Sequence, residues 1–190
     1  MTSLTDVDLV RCIVIGDEKS GKELMMMKYA SFTGVRYNAE RKEIVTAFNG
    51  SECVIVDSPR IIDTDADEPH VFLLCVSVAS RTSLEEAVTM VCSIFEDFPL
   101  IVPFVLIGTQ IDKRLSMCVE NYGSGETKYL PVPLNQAESF AKRIGASEYL
   151  ECSEVTGVGL DDVFESAFEI GHNYALERIR GLRRKISHPR

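Results

Sequence analysis

The sequence predicts an α/β fold: a mostly parallel, doubly wound sheet with one antiparallel hairpin and helices on both faces. Three observations predict it. Stretches of strand and helix character alternate along nearly the whole chain. Val71 to Val78 is an unbroken apolar run, as expected of a strand covered on both faces. The first apolar run also passes through a glycine-containing turn directly into a helix-prone stretch, the opening step of a wound sheet.

The elements follow in order. Leu9 to Ile15 reads as a buried strand ending at Gly16, and Lys22 to Ala30 as a helix. Glu43 to Val56 reads as two strands joined by Asn49-Gly50, a dipeptide suited to a tight hairpin because both residues tolerate positive φ. After the Val71–Val78 strand, Thr82-x-x-Glu85 reads as a capping box for a helix running to about Asp97, with Leu84, Val88, Val91, Ile94 and Phe95 at helical spacing. Pro103 to Ile107 gives another strand, Gln136 to Ile144 a helix, Tyr149 to Cys152 a short strand, and Asp161 to Arg180 a final helix. There is no internal repeat and no low-complexity linker.

Composition narrows the class. A chain of 190 residues that is 45% hydrophobic and 26% charged is globular and of single-domain length. The six cysteines lack C-x-x-C pairing and mostly sit in apolar runs, so they read as reduced, core-packing thiols of a cytoplasmic protein. The N-terminus has neither a basic region nor a long apolar stretch, so neither secretion nor membrane spanning is expected. From Glu177 to Arg190 six basic residues stand against one acid, a charge of +5; with a whole-chain charge of −9, the remainder carries −14. An acidic body argues against nucleic-acid binding. His70 and His172 have no partners at metal-ligand spacing and read as structural.

The chemistry begins at Gly16-Asp17-Glu18-Lys19-Ser20-Gly21-Lys22, a G-x-x-x-x-G-K between strand and helix. Phosphates call for that arrangement because glycine lets successive backbone N–H groups turn inward, the helix N-terminus adds positive potential, and the lysine reaches the outer phosphates. Two later segments carry a specific wording. In Leu106-Ile107-Gly108-Thr109-Gln110-Ile111-Asp112, the carboxylate of Asp112 can accept two hydrogen bonds from guanine, which adenine cannot supply in that geometry; the alternative is a helix-capping acid. Glu151-Cys152-Ser153-Glu154-Val155-Thr156 follows, and in wording and order these two segments resemble the guanine-reading and E-C-S-A-L-T segments of Rho-family GTPases.

Together these segments resemble the Rho family of small GTPases over roughly Leu9 to Ala167, including Val71–Val78 and Gly159-Leu160-x-x-Val163-Phe164-x-x-Ala167. The resemblance implies a P-loop NTPase of the small-GTPase (G domain) type over residues 1–176, with a Rho-type insert around 113–136 and a basic C-terminal tail over 177–190. It implies a site for GTP or GDP formed by Gly16, Asp17, Glu18, Lys19, Ser20, Gly21, Lys22, Glu23, Leu24, Thr109, Gln110, Asp112, Ser153 and Glu154, with Asp57 on the metal side. Effector or regulatory proteins of Rho-type signalling are the partners it implies.

The departures from that pattern concern hydrolysis. Glu23 stands where the family has the Ser or Thr hydroxyl that ligates Mg²⁺, and Glu18 where it usually has glycine. Asp57-Ser58-Pro59-Arg60-Ile61 replaces D-x-x-G and a water-orienting glutamine; proline has no N–H and isoleucine cannot orient water. Both switch segments are short, and Thr33 is a weak stand-in for the sensing threonine. The final Ile186-Ser187-His188-Pro189-Arg190 has no C-a-a-X, so no lipid anchor is expected, although the tail's arginines suit electrostatic attraction to anionic lipid. The expected function is a guanine-nucleotide-binding signalling adaptor with poor or absent hydrolysis and uncertain use of Mg²⁺. A nucleotide-free interaction scaffold and a slow but competent GTPase are the alternatives.

Overall fold

A computed structural model describes residues 7–57, 68–97, 102–120 and 130–187. Among these described residues seven strands form one sheet: β1 (Leu9–Gly16), β2 (Tyr37–Asn38), β3 (Glu43–Phe48), β4 (Ser51–Asp57), β5 (Val71–Ser77), β6 (Phe104–Thr109) and β7 (Glu148–Glu151). Five α-helices among them join the strands: α1 (Lys22–Thr33), α2 (Arg81–Asp97), α3 (Lys113–Glu120), α4 (Leu134–Ile144) and α5 (Leu160–Ser187). The strand order is β2-β3-β4-β1-β5-β6-β7. Pairings from β4 through β7 are parallel, and only β2–β3 and β3–β4 are antiparallel. This is the mixed, mostly parallel sheet with one antiparallel hairpin that the sequence predicts.

Strand alternation divides the core into two. On β1, Val10, Cys12 and Val14 face a core built with Met25 and Met26 of α1 and Phe164 and Phe168 of α5. Ile13 and Ile15 face the other, with Leu84 and Val91 of α2 and Phe140 of α4. Because β5 is packed on both sides, every one of its residues is buried, which is why its sequence shows no alternation. β1 is flanked by β4 on one side and β5 on the other. The chain therefore changes its winding direction at β1, and the crevice beyond its C-terminal end is where such sheets place ligands.

The hairpin turn is as expected, with Asn49 at φ 49° and Gly50 at φ 86°. Other details differ from the sequence reading. The two-residue edge strand β2 was not foreseen, because so short a run carries no periodicity. Thr82 lies inside α2, which begins at Arg81, so it is not the N-cap; its hydroxyl pairs with that of Ser80 at 2.8 Å. α5 begins at Leu160 and continues past Arg180 to Ser187. All six cysteines are free, but Cys92 and Cys118 are exposed rather than core-packed, since they fall on outward positions of α2 and α3. His70 is structural: its Nδ1 accepts the Arg11 backbone N–H at 2.9 Å. Ser58 to Ile61, and 121–129 of the expected insert, lie outside the described residues.

Candidate nucleotide site

The site is built at the end of β1. A side chain at Gly16 would meet the Cys75 carbonyl and the Ser20 hydroxyl at 2.7 Å each, so only glycine lets the chain leave the sheet here. Asp17 is extended, Glu18–Ser20 form a 3₁₀ turn, and Gly21 takes the left-handed conformation at φ 67° before α1 starts at Lys22. The turn is closed internally: the Ser20 hydroxyl donates to the Asp17 carbonyl at 2.7 Å and is fully buried. Glu18, Lys19, Glu23 and Leu24 are exposed, with Leu24 at 57%.

The segment after β6 grips this loop. The buried Thr109 hydroxyl donates to the Ser20 carbonyl at 2.5 Å, shared with the Val76 carbonyl at 3.2 Å. Gln110, at φ 63°, donates from Nε2 to the Lys19 carbonyl at 3.0 Å. Its Oε1 accepts from the Ser77 hydroxyl at 2.8 Å and the Lys113 ammonium at 2.9 Å, which fixes the amide's orientation. Nearby, the Ser153 hydroxyl donates to Asp112 Oδ1 at 2.6 Å while accepting the N–H groups of Val155 and Thr156. The Asp112 carboxylate is thus aimed, and it remains exposed. Glu154 is buried, accepts the Gln110 N–H at 3.2 Å, and lies within 3.0 Å of where a side chain on Gly21 would begin. All the expected site residues from Gly16 to Leu24, Thr109, Gln110, Asp112, Ser153 and Glu154 therefore gather at one end of the sheet.

A half-buried network behind them escaped the sequence reading. Arg114 makes two hydrogen bonds to Glu151, from Nη1 at 2.6 Å and Nη2 at 2.5 Å, and its Nε donates to the Val132 carbonyl at 3.1 Å. Tyr149 donates its hydroxyl to the same carboxylate at 2.7 Å, and its own pKa is raised by burial and by Glu151. Arg114 holds the Glu151 carboxyl below its ordinary value against the opposing effect of burial. This two-point pair ties the start of α3 to β7, and so ties the segment carrying Asp112 to the one carrying Ser153. Nothing in the spacing of Arg114, Tyr149 and Glu151 announces a contact between α3 and β7.

The phosphate end has its own set of contacts. Lys22 is ion-paired with Oδ1 of Asp57, whose side chain is 1% exposed and whose Oδ2 is buried without a hydrogen-bond partner. Glu23 accepts from the Tyr37 hydroxyl at 3.3 Å and lies 3.8 Å from the Lys42 ammonium. Lys42 is in the left-handed region at φ 50°, and its carbonyl accepts the Asp57 N–H at 3.0 Å. Burial and the neighbouring Glu23 push the Tyr37 phenol up to about 12. On the other side of the loop, contact with Asp17 holds the Glu86 carboxyl of α2 above its ordinary range. Thr33 spends its hydroxyl on the Tyr29 carbonyl at the end of α1.

A loop that ends in a left-handed glycine and Lys22 at a helix start has the form a nucleotide's phosphates require. The metal side is less suited. Asp57 offers a buried, unsatisfied oxygen, but Glu23 is engaged by Tyr37 and Lys42. Among the described residues no group of three His, Cys, Asp or Glu side chains could hold a metal ion, and no helix is long and apolar enough to cross a membrane.

Comparison with known proteins agrees with this geometry. Residues 59–171 match the Ras family model. The chain is also 30% identical over 170 residues to the Rho-related protein racI of Dictyostelium discoideum, covering 82% of this chain and 83% of that one. Proteins of this family bind GTP and GDP. On fold, motif order and relatedness together, the chain belongs to the small GTPases, as a Rho-related member of the Ras family.

Proposed function

We propose that this protein is a guanine-nucleotide-binding adaptor of Rho-type signalling in which hydrolysis is slow or absent. The observation that carries this reading is the intact grip of the base-reading segment on the phosphate loop: Thr109 on the Ser20 carbonyl, Gln110 on the Lys19 carbonyl, and Ser153 holding Asp112. Such preorganisation keeps binding from having to order these loops first. In this reading Gly16 to Leu24 surround the phosphates, Gln110 and Asp112 read the base, and Ser153 and Glu154 flank it. Bound GTP or GDP would supply the chemistry of the site. The chain's own residues orient it without a hydroxyl at position 23 to bring Mg²⁺, and Glu18 places bulk and charge where water would attack.

The scaffold reading, in which no nucleotide is held, is favoured by one observation: Lys22 is already satisfied by Asp57, in a loop that also carries Asp17, Glu18 and Glu23. Heat release of the small molecules from natively purified protein, followed by chromatography, separates the two. GDP or GTP near one equivalent supports the adaptor; no nucleotide, together with no binding of added fluorescent GDP, supports the scaffold. Steady phosphate release at the rate of an ordinary small GTPase would overturn both.

As an adaptor, the protein would pass its state to effector or regulatory proteins from the cytoplasm. The basic stretch from Arg178 to Lys185 adds attraction to anionic membranes at about 1 kcal/mol per basic residue near the surface. Domain limits of 1–176 and 177–190, with an insert around 113–136, belong to the same proposal.

A further inference from the structure

A second feature lies away from the nucleotide site. Between α2 and α4 runs an open cleft of about 370 Å³. Leu84 and Phe140 form a buried apolar floor, and Val88 continues it into solvent at 44% exposure. Arginines stand on both walls. From α2, Arg81 reaches across to Gln136 of α4, with Nη1 3.5 Å from its side-chain oxygen. From α4, Arg143 lies over the Phe140 ring at 5.3 Å. Glu85 is the one acid among the lining residues, so the cleft is net cationic on a body that carries −14.

Arg81 supplies the pointer to a ligand. Its Nε is sealed from solvent, while Nη1 comes no nearer than 3.5 Å to Gln136, at the outer limit of a hydrogen bond. The outer end of the guanidinium is therefore the part that a carboxylate can take with charge-assisted hydrogen bonds. Arg143, its flat face held by Phe140, presents a second cation.

We propose that this cleft docks an acidic segment of a partner protein, with a carboxylate on Arg81 and a large apolar side chain on Leu84, Val88 and Phe140. A polypeptide suits it better than a small organic acid. The cleft is open between two helices rather than enclosed, and its apolar strip extends into solvent at Val88, as in recognition of an amphipathic segment by a groove. No residue of the cleft belongs to the nucleotide site, so the proposal stands whichever reading of that site holds.

The test uses the full chain and a phage-displayed library of random dodecapeptides. Selected peptides should carry Asp or Glu within one helical turn of Leu, Ile or Phe. One of them, fluorescein-labelled and followed by fluorescence anisotropy, should bind Arg81→Gln about tenfold or more weakly, as expected for losing a hydrogen bond to a charged group. Arg143→Gln should weaken it less, and Arg36→Gln, at the exposed far edge of the sheet, not at all. Val88→Glu changes only an exposed position and sets a carboxylate in the path of the ligand's own, so it should abolish binding with the melting curve unchanged. This variant keeps the test sound if Arg81→Gln misfolds. A library that yields no binder, peptides without acidic enrichment, or binding indifferent to both Arg81→Gln and Val88→Glu would overturn the proposal.

Discussion

Replacing Glu23 by threonine should tighten guanine-nucleotide binding and make it depend on Mg²⁺. The Glu23 side chain is 50% exposed, follows Lys22 directly, and contacts Tyr37 and Lys42. For illustration, two unit negative charges about 5 Å apart repel by about 0.8–3 kcal/mol for effective dielectric constants of about 80 to 20. The Lys42 contact offsets part of this, but an exposed pair contributes about 1 kcal/mol or less. A net gain of about 1–2 kcal/mol follows, or roughly 5- to 30-fold in Kd before any metal is counted. Titration of fluorescent GDP with and without chelator, on both proteins, measures it. Absorbance titration gives an independent readout: without Glu23, the Tyr37 phenol should fall from about 12 towards its ordinary 10. If the native protein loses nucleotide on chelation as sharply as the variant, then Glu23 is a working metal ligand. The slow-GTPase reading would then replace the adaptor.

Three further outcomes are expected. Asp112→Asn should weaken GDP binding and favour a xanthine nucleotide, whose ring presents a carbonyl where guanine has its amine; equal binding of ATP and GTP by the native protein would contradict the assignment. Gly108→Ala should lower stability by about 1–3 kcal/mol, because the new methyl would start 2.3 Å from the Tyr149 hydroxyl, and adding Tyr149→Phe should recover part of that loss in denaturant melts. His70 is held below its ordinary pKa first by burial and then by Arg178 and Arg11, against the weaker pull of Glu68. Its folded-state pKa therefore lies below the unfolded value of about 6.5, so its contribution is complete above that pH and is lost as pH falls through the folded value. Thermal melts from pH 7.5 to 5 should show a shallower decline for His70→Gln than for the native chain.

The fold was legible wherever local pattern and tertiary environment agree. β5 shows both-sided burial in seven consecutive residues, and Asn49-Gly50 adopts the positive φ values its chemistry allows. The candidate site was legible as three segments in the right order. What the sequence could not show is how they are held: the Gln110 amide bridging Ser77, Lys113 and the Lys19 carbonyl, or Arg114 clamped on Glu151 across 37 positions of chain. Such contacts depend on strand register, and no spacing rule reports them. Thr82 shows the opposite failure. Its spacing to Glu85 satisfies the capping pattern, yet the helix starts one residue earlier, placing both inside it.

The adaptor and scaffold readings differ at one contact. For Lys22 to reach a phosphate it must leave Asp57, and that would strand a side chain only 1% exposed with neither oxygen satisfied. Removing one partner of a buried pair costs about 3–5 kcal/mol, and with Lys22 itself 16% exposed the low end applies. In a GTPase with a strong metal site the cation's charge covers that cost, but Glu23 weakens this route here. Nucleotide affinity should therefore be limited by the Lys22–Asp57 pair rather than by base recognition. Asp57→Asn removes the competing charge while keeping the shape. The variant should melt at lower temperature than the native protein, and added GDP should raise its melting temperature by more than it raises the native one, because ligand binding to the folded state alone stabilises in proportion to affinity. If GDP shifts neither protein while both remain folded, Lys22 serves Asp57 and nothing else, and the site is a structural brace of a scaffold.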